Sequence, residues 1–279
     1  MPDSFQHLPH DPATAFAPRE LGVPYPTTPE ARPAGALNAG RYTVRFAASV
    51  EDLDAIQRLR FEVFNLELGE GLDSAFDSGR DHDDLDPLLH HLLIATADGD
   101  VVGTYRLQTS DMAARQRGFY SAGEYDLSTM PAEFIANAVE VGRACVAKGH
   151  RNGRVLNLLW RGLAMYLIHN RKRYLFGCCS LTSQEPALGI ATWRKLSADG
   201  STDPRIMVPA LPGFSCEPVD EAEVVRQAPH IPPLFQSYLN LGAKVCSAPA
   251  LDRTFKTIDF LVALDVTALD EHSYRFFFR

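Results

Sequence analysis

Several things are scarce in this chain. Among 279 residues there are two tryptophans and five cysteines, an odd number with Cys178 and Cys179 adjacent. That is no disulfide framework; it fits free thiols in a reducing compartment. No window approaches the ~20 apolar residues of a membrane span. The opening "MPDSFQHLPHDPATAFAPRE" has no basic segment followed by an apolar one, so it does not read as a secretory signal. Positive charge is short too, with 27 Lys and Arg against 35 Asp and Glu, a formal −8. This balance argues against a general nucleic-acid binder. The expectation is a cytoplasmic protein with at most a peripheral contact at the inner membrane face. Catalytic signatures are missing as well: no Gly-x-Ser-x-Gly elbow, no Walker loop and no His-x4-Asp. "DHDDLD" lacks the Gly and the closing Glu of a calcium loop, and no His/Cys spacing suits zinc, so no metal is expected.

A composition 46% hydrophobic is enough for one large domain or two small ones. Residues 1–40 hold eight prolines and little apolar periodicity, which reads as a mobile leader. One domain, 41–279, is expected to begin at "RYTVRFAAS" with a strand alternating Tyr42, Val44 and Phe46. A helix follows with Ile56, Leu59, Val63 and Leu66 on one face, stopped by Gly69. Residues 77–86 read as a solvated acidic loop, and 90–108 as two strands turning at Asp98-Gly99. "FYSAGEYDLS" is expected to be exposed. Then come a strand in "NAVEVGRACV", a helix over 155–170, a buried strand over 173–181, a variable insertion at about 197–232, a helix ending at Gly242, and a last strand in "FKTIDFLVALDV". Hairpins early and crossovers late put the chain in the α/β or α+β class.

Charge is unevenly distributed. Residues 141–175 carry eight Lys and Arg and no acid, whereas 50–90 carry twelve acids and three bases. The basic stretch starts where a strand passes into a loop and the loop into a helix. Helix N-termini present unpaired N–H groups and partial positive charge, which suits a phosphate. Lys148, His150, Arg151 and Arg154 surround that N-terminus, with Gly149 and Gly153 between them. An ordinary solvated basic face is the alternative. Glu140 stands in an otherwise apolar strand, where an unpaired charge is costly. It reads either as a functional carboxylate or as the partner of Arg106 or Arg143. The cysteines in apolar strands read as fillers, and the apolar stripe of 155–170 as core, with one face able to line part of an acyl tunnel.

"VEVGRACV…HRNGRVLNLLWRGLAMYL…YLFGCCSL", with "PPLFQSYLNLGAKVC" and "LDRTFKTIDFLVALD", resembles the GNAT acyltransferase fold, a mixed central sheet flanked by helices. More narrowly, it resembles the branch containing the ornithine N-acyltransferases of ornithine-lipid synthesis and the hemolysin-like acyltransferases. The likeness spans roughly residues 42–266. It implies that an acyl group moves from a carrier thioester to an amine, with acyl-carrier protein or acyl-CoA as co-substrate and no other cofactor. In such proteins the loop after the fourth strand holds the diphosphate or phosphate of the donor. "RNGRV" departs from the usual Gly-rich turn at Arg154, which favours acyl-carrier protein as partner. The resemblance assigns the donor to Val141, Cys145, Lys148, His150, Arg151, Gly153 and Arg154.

Amide formation needs a neutral amine, a polarised carbonyl and an oriented acceptor. The resemblance implies Glu140 as general base beside Arg143, with a bulge at Gly142 turning both to one side. The layout is similar to the acyl-homoserine-lactone synthases in Arg60, Phe64, Asp83, Asp86, Arg106, Phe119, Glu140 and Arg143. The Trp that those synthases carry after the helix-ending Gly is Glu70 here. An amino-acid acceptor, ornithine first, is therefore expected. Arg60 or Arg106 would hold its carboxylate, and Asp83, Asp86 and Glu70 its second ammonium.

Overall fold

Tyr42, Val44 and Phe46 alternate inward and are buried, so the first expected strand forms where the period-two pattern puts it. The computed structural model describes residues 25–278. Its strands are β1 (Leu37–Ala39), β2 (Tyr42–Phe46), β3 (His90–Thr96), β4 (Val101–Thr109), β5 (Ala138–Val146), β6 (Tyr174–Leu181), β7 (Lys244–Val245), β8 (Ala250–Asp252) and β9 (Thr257–Asp265). They form one sheet in the order β1-β2-β3-β4-β5-β6-β9-β7, with β8 also on β9. Every pair is antiparallel except β5–β6.

The helices are α1 (Val50–Arg60), α2 (Ala75–Ser78), α3 (Ser110–Arg115), α4 (Ala132–Ala136), α5 (Arg154–Asn170), α6 (Pro186–Ala198), α7 (Glu221–Arg226), α8 (Pro233–Asn240) and α9 (Glu271–Phe278). α1 is capped by Ser49, whose hydroxyl accepts the Asp52 N–H. α5 fills one face of the sheet: Leu158, Leu159, Leu163 and Tyr166 pack on Leu92, Tyr105, Leu107 and Val139. On the other face Phe176 and Leu261 pack on Tyr125 and Phe134.

Several expectations are met and several need correction. The mixed sheet, the hairpin at Gly99 (φ 94°) and the helix ending before Gly242 (φ 91°) are as expected. The helix after β2 is not uniform. Beyond Arg60 it winds as a π-helix over Phe61–Leu68. The wider i→i+5 winding shifts the phase, so Leu66, expected on the buried face, is 61% exposed while Ile56, Leu59 and Val63 are buried. The leader boundary also moves. Residues 1–24 lie outside the described residues, but those from Tyr25 onward pack on the domain. Thr27 donates to Leu88 O, Asn170 donates to Ala31 O, and β1 pairs with β2. The stretch read as an insertion carries α7 and is stitched to the β7–β8 edge by bridges at Thr202, Val208 and Ser215.

Candidate active site

The site is made by a failure of pairing. β5 runs parallel to β6 from Ala138↔Tyr174 to Glu140↔Phe176, and there the pairing stops. On its other edge β5 keeps to β4, but the register jumps from Arg106↔Gly142 to Thr104↔Cys145. That bulge is expected at Gly142; the residue in the left-handed region is Arg143 (φ 48°). A non-glycine residue there costs on the order of 1–2 kcal/mol, and it swings the guanidinium to the same face as Glu140 and Arg106. Opposite the split, Gly177 is required. A Cβ on it would collide with the Val141 carbonyl oxygen. The strands thus touch at one point and part beyond it, leaving residues 141–146 of β5 with no β6 partner.

A cavity of about 550 Å³ passes through this split. On the α5 side its wall is apolar: Leu159, Trp160 and Leu163 of α5, Leu175 and Leu264 of the sheet, and Tyr238 of α8. One face of the 155–170 stripe thus lines the cavity while the rest serves the core. Tyr105 and Tyr238 hydroxyls bond to each other in this wall, and Phe277 of α9 closes it edge-on against Trp160 at 5.3 Å. On the α1 side the wall is polar, and it holds Glu140, Arg143, Arg106, Gln108, Glu70 and Asp259.

Glu140 stands where the two arms meet. Its Oε1 accepts the Ser121 N–H at 2.8 Å and the Ser121 hydroxyl at 2.6 Å, and its Oε2 accepts the Tyr120 N–H at 2.8 Å. The loop expected to be exposed is thus pinned over the sheet, and Ser121 and Glu124 are buried. A carboxylate has about four lone-pair sites, so one on Oε2 remains. Burial pushes the Glu140 carboxyl above its ordinary value, and the Ser121 and Tyr120 donors pull it back only in part. Neither Arg106 nor Arg143 hydrogen-bonds to it; the buried charge is satisfied by the loop. Beside it in register, Gln108 gives Nε2 to Gly118 O and keeps a buried Oε1 without a partner.

The arginines have other partners. Arg60, fully buried, donates to Asp81 at 2.7 Å and to Asp86 at 2.8 Å. Arg106 donates to Asp83 at 2.7 Å and to Asp86 at 2.9 Å. Arg143 lies 3.4 Å from both Asp81 and Asp83 and stacks on the Phe255 ring at 4.2 Å. Burial alone would raise Asp83 and Asp86; instead Arg106 and Arg143 hold Asp83 below its ordinary value, and Arg60 and Arg106 hold Asp86 well below the usual carboxylate range. The acidic loop is therefore no solvated loop: Asp83 and Asp86 are each paired with two arginines, and neither lines the cavity where a substrate ammonium would lie. Arg60 is likewise removed as a carboxylate ligand, because it is sealed from the cavity. Phe119 packs edge-on against Phe176 at 4.9 Å in the core, and its neighbour Tyr120 lines the cavity instead.

A second acidic group lies across the site. Glu70, held between Gly69 (φ 69°) and Gly71 (φ 83°), accepts from the Thr182 hydroxyl. Asp259 of β9 and Glu124 behind it are each 4% exposed. Burial, then the neighbouring acids, pushes Asp259 up to about 6 and Glu124 well above its ordinary value. Glu124, Cys178 and Asp259 bring their ligand-type atoms within 4.8 Å of one another, but burial beside the acids pushes the Cys178 thiol well up, which disfavours a metal-binding thiolate.

In the basic loop the predicted residues divide. Val141, Cys145, His150, Arg151 and Gly153 line the cavity with Phe64; Lys148 and Arg154 do not. Arg151 makes a bidentate pair with Glu67 at 2.6 and 2.8 Å, His150 bonds the Tyr42 hydroxyl, and Arg154 reaches Ala39 O. Gly153 (φ 73°) caps α5 with no side-chain bond to the helix.

Known sequences decide the family. Residues 59–161 match an Acetyltransferase (GNAT) domain. The L-ornithine N(alpha)-acyltransferase of Agrobacterium fabrum is 31% identical over 242 residues, 82% of this chain and 83% of that one. That of Rhodobacter capsulatus is 32% identical over 251 residues, 85% and 95% of the two chains. The chain belongs to the L-ornithine N(alpha)-acyltransferase family of GNAT fold. Among solved structures it is similar to FeeM, an N-acyl amino acid synthase from uncultured soil microbes, at 14% identity and TM-score 0.47, over 82% of this chain and 94% of that one. The fold expectation is met, and the chain is an acyltransferase. No helix among the described residues is long and apolar enough to cross a membrane. The residues that sequence reasoning missed in this acyltransferase are Asp81, Tyr120, Glu124 and Asp259. Asp259 carried a signal like that of Glu140, an acid inside the apolar run of a strand.

Proposed function

We propose that this acyltransferase moves a fatty acyl group, 3-hydroxylated or plain, from acyl-carrier protein to the α-amine of ornithine. The observation that carries the reading is the two-armed cavity joined through the β5–β6 split at Glu140. The apolar arm suits a fatty tail, and the polar arm suits a zwitterion with extra positive charge. The curated relatives are named for ornithine as acceptor.

In this reading the thioester lies in the split, its oxygen facing the unpaired edge of β5 over Val141–Cys145. Amines are mostly protonated at neutral pH. The free lone pair of Glu140 Oε2 takes the α-ammonium proton, directly or through one water. The nitrogen then attacks the carbonyl carbon, the C–S bond breaks, and the thiolate leaves with a proton, giving an amide and a free carrier thiol. Arg106 and Arg143 line the arm where the acceptor carboxylate would lie, and Arg143 Nε is buried without a hydrogen-bond partner. The donor's phosphate would meet the start of α5 with Lys148, His150, Arg151 and Arg154 nearby.

The test is direct. Purified protein is incubated with acyl-carrier-protein thioester and ornithine, and products are read by mass spectrometry. Nα-acyl ornithine with free carrier is expected. Absence of product with acyl-carrier protein and with acyl-CoA, or acylation at the side-chain nitrogen, overturns the reading.

A further inference from the structure

Resting on the ornithine reading, we propose that Asp259, backed by Glu124 and flanked by Glu70, forms the subsite that receives the acceptor's distal ammonium. Asp83 and Asp86 cannot do this, since each is held by arginines. Asp259 differs on every count. It lines the polar arm of the cavity and is 4% exposed, and its Oδ1 has no hydrogen-bond partner. Glu124 Oε2 behind it is equally buried and equally without a partner. Orphaned buried acceptors are rare and costly in a folded protein, and here both are carboxylate oxygens, one of them on the cavity-lining Asp259.

Among the described residues no cation forms an ion pair with either of them. Arg143, the guanidinium that acts on Glu70 and Glu124, lies against Asp81 and Asp83. Glu70 spends Oε1 on Thr182 and lines the same cavity, and the Phe255 carbonyl fixes the neighbouring Gly71 N–H at 2.9 Å. An ammonium brings three donors in a compact charge, which suits a cradle of separate carboxylate oxygens better than a planar guanidinium would. Glu140 pairs with Phe176 and Asp259 with Ser180, and Phe176, Cys178 and Ser180 alternate onto one face of β6, so both acids stand on that face, with the Cys178 thiol within 4.8 Å of the Asp259 and Glu124 carboxyls. Glu140 and Asp259 line the same cavity, and the four carbon atoms between the two nitrogens of ornithine would extend from the one toward the other.

The discriminating acceptor is norvaline, which is ornithine without the distal ammonium. kcat/KM is measured for both acceptors with wild type, Asp259→Asn and Glu70→Gln, with thermal melts to confirm folding. Wild type is expected to favour ornithine, and Asp259→Asn to cut the ornithine-over-norvaline ratio at least about 10-fold, mainly through KM for ornithine, as loss of a charged hydrogen-bond partner does. Glu70→Gln is expected to cut it less and guards against a folding defect at the β9 site. An unchanged ratio in both folded variants overturns the subsite and leaves ornithine acylation standing; a wild type that ignores ornithine overturns the function itself. A divalent cation held stoichiometrically by wild type and lost in Asp259→Asn would assign the cluster to a metal and likewise overturn the inference.

Discussion

The two charged walls of the cavity were built to opposite rules. On one, Arg106 and Arg143 line the cavity and, with Arg60 behind them, form ion pairs with Asp81, Asp83 and Asp86, three cations against three anions. On the other, Glu70, Glu124 and Asp259 are buried with hydroxyl and acid neighbours. Burial acts to raise Asp83 and Asp86 as it does Glu70, Glu124 and Asp259; only at Asp83 and Asp86 do guanidiniums reverse it. A compensated network holds a loop in place and has no spare anionic charge to offer an ammonium. An uncompensated one is an unfinished ion pair. Perturbed groups on the two walls therefore mean different things, and the direction of the shift separates scaffold from subsite.

The largest effect is expected at the residue between the walls. Glu140→Gln keeps shape but removes the base, and turnover is expected to fall on the order of 10²–10⁴-fold with the fold retained. In the wild type the rate should rise with pH through a carboxyl pKa above the ordinary Glu value, since burial keeps the proton on longer and only the deprotonated form can act. A Gln variant with near-wild-type turnover would falsify the assignment and reduce Glu140 to an anchor for the loop at Ser121. Next comes the compensated wall. Arg60→Met leaves two buried aspartates short of a partner, and urea unfolding is expected to show a loss of about 3–5 kcal/mol. A loss below about 1 kcal/mol would mean the network is not a scaffold.

How much of this could be read beforehand follows from the range of the interactions. The hairpin at Gly99, the period-two burial of β2 and the stop at Gly69 are local, and the sequence carries them openly. Glu140 was legible because a lone acid in an apolar strand is expensive wherever the strand ends up. The partners were not. Asp86 meets Arg60 across 26 residues, Glu140 meets Ser121 across 19, and Tyr105 meets Tyr238 across 133. Such pairings depend on how the sheet closes. The π-helical turn was equally hidden, since the same apolar spacing reads as α until the chain shifts phase and leaves Leu66 outside.

The uncompensated wall makes a thermodynamic prediction that the first wall does not. Asp259 has a folded pKa raised from 3.8 to about 6. The folded chain then binds more protons than the unfolded one between those values, so this contribution to stability is present below about pH 4 and lost as pH rises through about 6. A shift of that size corresponds to roughly 2–3 kcal/mol, shared with Glu124. Asp259→Asn should match wild type near pH 4 and become the more stable protein by pH 8. Denaturation curves whose gap does not change with pH would mean that the acid is already compensated, and the contrast between the walls would collapse.

The smallest effect is expected outside the cavity, where charge is exposed and screened. Lys148 and Arg154 flank the start of α5 on the surface, whereas Arg151 is already tied to Glu67, so its reversal would mix docking with a broken pair. The double variant Lys148→Glu, Arg154→Glu should raise KM for the acyl-carrier protein a few-fold at low salt. That penalty should fade by about 0.5 M salt, because exposed charges interact over a screening length of only about 8–10 Å near physiological ionic strength. Acyl-pantetheine, which lacks the acidic carrier, should show almost none of it. The buried walls, shielded from ions, should respond to salt hardly at all in the same buffers. A KM for carrier that is unchanged at low salt would remove docking from this loop and leave its Arg and Lys as an ordinary solvated face.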